Sequence, residues 1–136
     1  MLPGRPDGLV LPKAEGAASV AALVAKIGNA PAPPILPIAT ETPAAIFQLG
    51  GYGAARQQLA GLTWGAEDLS AAIGAVTARE ADGSYTAPYE MARALTLYAG
   101  GDVGGDPALP IIRCGGGQSC RPSSAARGAR LAPSST

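Results

Sequence analysis

Not one histidine occurs among the 136 residues of this chain. Ser–His–Asp and Cys–His nucleophilic catalysis are thereby excluded, as are metal sites built on imidazole. Thiols are almost as scarce. Cys114 and Cys120 stand in the glycine-rich stretch CGGGQSC, without the CxxC spacing or partner ligands of a zinc site, and read as two incidental cysteines. Aromatic residues amount to 4%, and much of the apolar content is alanine, so the core of one modest domain must rest on Leu, Val and Ile. Charge of one sign is missing too: ten basic residues balance ten acidic ones, which points neither to nucleic acid nor to an anionic membrane. No apolar run approaches the ~20 residues that span a bilayer. The opening MLPGRPDGLVLPK is broken by Pro3, Pro6 and Pro12 and lacks the apolar centre of a signal peptide, so the expected compartment is the cytoplasm. What survives these exclusions is carboxylate chemistry, most simply an oxygen-ligated divalent cation.

Carboxylates do occur where that chemistry needs them. Leu62 to Ala75, LTWGAEDLSAAIGA, is a short apolar run, a glycine, two consecutive acids and a small-residue helical pattern. An acid at the hand-over from strand to helix is where an α/β protein usually places its functional groups, which singles out Glu67 and Asp68. Two earlier stretches repeat the arrangement, GLVLPK ending at Lys13 and ILPIATE ending at Glu41. The steps from Lys13 to Glu41 and from Glu41 to Asp68 are 28 and 27 positions. A (β/α)8 barrel spends roughly 30 residues on each strand–helix unit and carries its site at the strand C-termini. The spacing therefore predicts three consecutive barrel units.

The elements follow from local pattern. Asp7 to Pro12 and Ile35 to Thr40 are short apolar runs bounded by breakers and predict strands, although Pro37 cannot donate to a ladder. A third strand is expected over Gly61 to Trp64. Val20, Leu23, Val24 and Ile27 recur at i, i+3, i+4 and i+7, which predicts a helix over Ala17 to Ile27 closed by Gly28-Asn29. Thr42-Pro43 suits an N-cap followed by the first helical residue. The helix it starts is expected to end at a Gly50-Gly51 turn, with a second helical piece from Gly53 to Leu59. Thr77 to Tyr85 is expected to loop over the site end. Thr86 then caps a helix with Met91, Leu95 and Tyr98 on one face. From Ala99 onward the composition turns to Gly, Pro, Ser and Arg with no acid after Asp106, and disorder is expected.

On these residues alone the roles stay open. Glu41 reads equally as a solvated charge at a strand end, Asp68 as a helix cap, and Lys13 as the partner of a nearby acid such as Glu15. Gly50-Gly51-Tyr52-Gly53 lacks the pattern of a phosphate loop.

Taken together, GLVLPKAE, PIATET and LTWGAEDLSAAIGA resemble the HpcH/HpaI aldolase/citrate lyase family, in its citrate lyase β-subunit-like branch. That branch is similar in showing an LPK strand, a strand ending in Glu-Thr and a GAED strand at about these intervals. The resemblance covers Pro6 to about Tyr98. It implies a TIM barrel that acts on carbon–carbon bonds next to a carbonyl, commonly in acyl-CoA or 2-oxo acid substrates of the citryl-, malyl- or citramalyl-CoA type. It also implies Mg2+ held by Glu41 and Asp68, with Glu41 lying against the substrate as well. Backbone N–H groups around Gly65, Ala66 and Glu67 would receive a substrate carboxylate at the start of the following helix.

The family pattern also contains three earlier strands, with a DLED-type motif and a carbonyl-holding arginine, and later an ID-containing strand and a GK…IHP-type motif. None of these is found here. The expected fold is accordingly α/β: residues 1–98 forming a partial TIM (β/α)8 barrel of about three central units, and residues 99–136 an irregular tail. Three strands cannot close a barrel, and their open edges invite a second copy or a complementary barrel fragment. The resemblance implies a carbon–carbon lyase. Its truncation predicts weak activity or none, and the alternatives are a non-catalytic fragment completed by a partner chain or an unstable product without function.

Overall fold

The computed structural model describes residues 6–28, 31–103, 112–113 and 121–122. Strand β1 (Leu9–Leu11) lies parallel to β2 (Ile35–Pro37), with Leu9 opposite Ile35 and Leu11 opposite Pro37. Parallel bridges at Ile35–Leu59 and Ile38–Thr63 join β2 to the run leading into β3 (Thr63–Trp64). The side of β2 that faces β3 is read from its donors: Ala39 N–H donates to the Thr63 carbonyl at 2.8 Å, whereas Ile38 N–H donates to Leu11 at 2.9 Å. Alternation along the strand turns the Pro37 nitrogen toward β3, where a donor is lacking. The pairing also advances three residues on β2, Ile35 to Ile38, against four on the opposing run, Leu59 to Thr63, so the β2–β3 contact is two separate bridges and not a continuous ladder.

Each strand hands over to a helix. Helix α1 (Ala17–Ile27) covers the residues its stripe predicts, with Val20 buried and Leu23 and Val24 packed against the core. Gly28 closes it at φ 81°, its N–H donating to the Val24 carbonyl. Helix α2 (Pro43–Gln48) has Thr42 as its N-cap, the hydroxyl accepting from Ala45 N–H at 3.1 Å, and Pro43 in the first turn. The expected stop at Gly50-Gly51 is not there. The chain tightens into a 3₁₀ helix over Leu49–Gln58 that runs straight through both glycines. Its buried residues, Leu49, Tyr52 and Ala55, fall three apart. A helix of three residues per turn puts such a set on one face, and burying that face outweighs the entropic cost of the glycines.

Beyond β3 come α3 (Glu67–Ile73) and α4 (Ala87–Val103). Helix α4 starts where Thr86 predicts, its carbonyl accepting from the N–H groups of Tyr89 and Glu90, and it continues past Tyr98. The buried face of α4 differs from the expected Met91–Leu95–Tyr98 line. Tyr89, Ala92, Thr96 and Ala99 are buried with Leu95 at their margin, while Met91 and Tyr98 are exposed. Small residues allow the helix to approach the sheet closely, and Thr96 satisfies its hydroxyl internally on the Ala92 carbonyl at 2.8 Å. The loop from Thr77 to Tyr85 packs through Tyr85, whose ring meets Trp64 edge-on at 5.0 Å, with the Arg79 guanidinium 3.9 Å above the Tyr85 ring.

Within the stretch that composition leaves without structure, two short strands are described. Strand β4 (Ile112–Arg113) lies parallel beside β3, and β5 (Arg121–Pro122) is antiparallel to β4. Cys114 and Cys120 lie outside the described residues, as do 123–136. The run β1, β2, β3, β4 is thus parallel and in chain order, as in consecutive units of a (β/α)8 barrel.

The core forms two clusters. One gathers Ala14, Val20, Ile35, Leu49, Tyr52 and Leu62 under α1 and the 3₁₀ helix. The other gathers Trp64, Leu69, Tyr89 and Ala92 between β3 and α4. Tyr52 connects the first cluster to the end of β1, because its fully buried hydroxyl donates to the Ala14 carbonyl at 3.1 Å. Burial pushes the Tyr52 phenol above its ordinary value, an effect that the Gly16 N–H partly offsets and the Glu15 charge reinforces. Folding therefore favours the protonated phenol, and its contribution to stability is complete below the unfolded pKa of about 10 and lost as pH rises through the higher folded value. Urea unfolding between pH 9 and 11 should show a falling limb that Tyr52→Phe flattens.

Candidate functional site

The polypeptide leaves each strand at the same end of the sheet, and the three charges singled out by spacing arrive there together. After β1 the backbone of Lys13 turns into the left-handed region at φ 50°, where a residue other than glycine is uncommon. In that conformation Lys13 N–H donates to Glu41 Oε2 in a short hydrogen bond. The Lys13 ammonium reaches the other way, with Nζ 3.4 Å from Asp68 Oδ2. One lysine therefore ties the carboxylate that follows β2 to the carboxylate that follows β3. The Lys13 and Asp68 side chains are 67% and 48% exposed, so the cluster opens to solvent.

A second tie runs beneath them. Thr40, buried, donates its hydroxyl to the Gly65 carbonyl at 3.0 Å and accepts from Gly65 N–H at 2.9 Å. This pair continues the link between the two segments just beyond the Ile38–Thr63 bridge. It fixes the turn that carries Asp68 against the turn that carries Glu41. Gly65 is packed on Glu41 itself: a Cβ there would stand 3.2 Å from Ile38 Cγ2 and 3.3 Å from Glu41 Cγ. Gly65→Ala should push the Glu41 side chain away and cost about 1–3 kcal/mol by overpacking, measurable as a lower urea midpoint. Nearby, the Thr42 hydroxyl donates to Glu15 Oε1 at 2.7 Å, joining the segments after β1 and β2 once more.

Three expectations change. Asp68 does not cap α3. The N-cap is Ala66, without a side-chain hydrogen bond, and Asp68 lies in the first helical turn with its carboxylate on Lys13. Lys13 pairs with Asp68 and not with Glu15, because the left-handed turn after Pro12 carries its side chain across to the third strand's end. The Gly65 N–H does not face a ligand, being committed to Thr40. Glu67 is exposed in the first turn of α3, with Ala66 before it. Thr40 and the double role of Lys13 escape sequence reasoning. A threonine at the end of an apolar run carries no spacing signal, and backbone conformation at Lys13 is decided by what surrounds it.

Comparison with solved structures shows what this arrangement belongs to. RipC from Yersinia pestis superimposes with a TM-score of 0.62 at 30% identity, over 81% of this chain and 45% of its own. CitE from Mycobacterium tuberculosis, in complex with magnesium and acetoacetate, gives 0.60 at 31% identity over 79% and 38%. The citrate lyase β subunit from M. tuberculosis with oxaloacetate and magnesium gives 0.59 at 31% over 79% and 41%. This chain carries part of the citrate lyase β-subunit fold. It spans less than half the length of the structures it matches. No protein-family model matches the chain, and no curated protein matches it in sequence. No helix among the described residues is long and apolar enough to cross a membrane.

Structures of the M. tuberculosis protein contain magnesium, in one case together with acetoacetate and coenzyme A. The donors present in this chain suit such an ion. Among the described residues no group of three or more His, Cys, Asp or Glu is gathered as a metal cage, but Mg2+ does not ask for one. It takes one or two carboxylates and keeps water and substrate oxygens for its other positions. Glu41 and Asp68, tied to one lysine at its main-chain N–H and its ammonium respectively, are oxygen donors of that kind.

Proposed function

We propose that this chain is the metal-carrying part of a Mg2+-dependent carbon–carbon lyase of the HpcH/HpaI aldolase/citrate lyase family. Its substrates on this reading are acyl-CoA or 2-oxo acid compounds of the citryl-, malyl- or citramalyl-CoA type. The observation that carries the reading is the convergence of Glu41 and Asp68 on Lys13 at the C-terminal ends of β2 and β3. Glu41 and Asp68 hold the ion. When bound, the ion supplies Lewis-acid stabilisation of the enolate charge that develops as the carbon–carbon bond breaks. Glu41, set in place by the Lys13 N–H and by the absence of a side chain at Gly65, also lies against the substrate. The amides of Ala66 and Glu67 receive the substrate carboxylate, and the Thr40–Gly65 pair keeps the two carboxylate-bearing turns in register.

The decisive assay is cleavage of citryl-, malyl- and citramalyl-type thioesters with and without Mg2+. Saturable, Mg2+-dependent release of the acyl-CoA product supports a lyase. A second reading, a non-catalytic barrel piece completed by another polypeptide or a second copy, is favoured by Val10, 62% exposed on β1, an edge strand among the described residues. Stable co-purification with a complementary barrel fragment, without thioester cleavage, would favour that alternative.

A further inference from the structure

The contact between Lys13 and Asp68 is the one salt bridge among the described residues, and it sits on one of the two oxygen donors proposed for the metal. Lys13 holds the two carboxylates by separate means. Glu41 is held by a main-chain N–H, which every residue but proline supplies at position 13. Among the described residues, the ammonium alone holds Asp68. A divalent ion on Asp68 and the ammonium beside it would be like charges competing for the same carboxylate oxygens, and the higher charge prevails. The hydrogen bond to Glu41 need not break, because a carboxylate offers about four lone-pair directions.

We propose that Lys13 is a built-in counter-cation of the metal site. Its ammonium neutralises and positions Asp68 while no divalent ion is bound, and it leaves Asp68 when one binds. Its main-chain N–H keeps Glu41 oriented in both states. Lys13 is a positioning residue on this account, and the account rests on the assignment of Glu41 and Asp68 as metal ligands.

The test is calorimetric titration of the full chain with MgCl2, for wild type, Lys13→Met, Lys13→Asn and Asp68→Ala, with a far-ultraviolet spectrum of each. Asparagine is included because it tolerates the left-handed backbone at this position while removing the charge. The expected result is Mg2+ binding about two- to fivefold tighter in both neutral variants, the size of the competition a part-exposed ion pair can exert. A purely structural lysine predicts the opposite, since Asp68 would lose its tether and bind metal less well. Unchanged or weaker binding in Lys13→Met and Lys13→Asn, with wild-type binding lost in Asp68→Ala, overturns the counter-cation and leaves the metal site standing. No binding by the wild type overturns both.

Discussion

Asp68→Ala should weaken Mg2+ binding by roughly 10- to 150-fold. A hydrogen bond or contact to a charged group contributes about 1.5–3 kcal/mol, and each ~1.4 kcal/mol is tenfold in affinity. The substitution removes one of two charged oxygen donors from a site that opens to solvent, where water supplies the remaining ligands. The fold should survive, because Asp68 caps nothing and its one ion pair is half exposed. Calorimetry with a far-ultraviolet spectrum separates the two effects. Glu67→Ala is the control: its carboxylate is exposed on the next position of the same turn, and affinity should stay within about twofold of wild type. Retained affinity in Asp68→Ala would place the ion elsewhere.

Thr40→Val should lower the free energy of unfolding by about 2–5 kcal/mol, because it strands two backbone groups at once. The hydroxyl satisfies both the N–H and the carbonyl of Gly65, and valine keeps the volume while satisfying neither. A polar group left buried and unpaired costs about 1–3 kcal/mol, and the part exposure of Gly65 keeps the sum for two below its upper limit. Thr40→Ser, which keeps the hydroxyl and removes one methyl, should lose only about 1 kcal/mol. Urea denaturation resolves the difference. The functional consequence runs through geometry: without this pair the turn bearing Asp68 is no longer registered against the turn bearing Glu41, so Mg2+ affinity should fall in Thr40→Val although no ligand has been touched. Equal stability of the valine and serine variants would mean that Gly65 finds other partners.

The strands and helices were legible wherever local pattern and burial agree. The stripe of Val20, Leu23, Val24 and Ile27 is a period that only a helix turns to one side, and α1 spans those residues. Thr42-Pro43 carries its own capping chemistry and needs no tertiary help. Where burial overrules propensity, local reading fails. Gly50-Gly51 reads as a break, yet Leu49, Tyr52 and Ala55 draw the segment into a 3₁₀ helix because that pitch alone buries all three. The larger apolar residues of α4, Met91 and Tyr98, suggest an inward face, yet the helix packs through Ala92, Thr96 and Ala99, which permit closer approach. Ile112 ends the one short apolar run, Leu109 to Ile112, in a stretch whose composition otherwise predicts disorder, and with Arg113 it forms a strand by pairing with β3.

The site divides along the same line. By itself the sequence determined which chemistries are open, by withholding histidine, and where the acids fall, because a repeat of nearly 30 residues returns each charge to the same end of a parallel sheet. Only the tertiary structure decided how those charges meet. The hydrogen bond from the Lys13 main chain to Glu41, the crossing of its ammonium to Asp68, and the Thr40–Gly65 pair are contacts between residues about 25 or more positions apart. Spacing can bring such residues to one rim. The direction of each donor is set by the neighbours that pack around it.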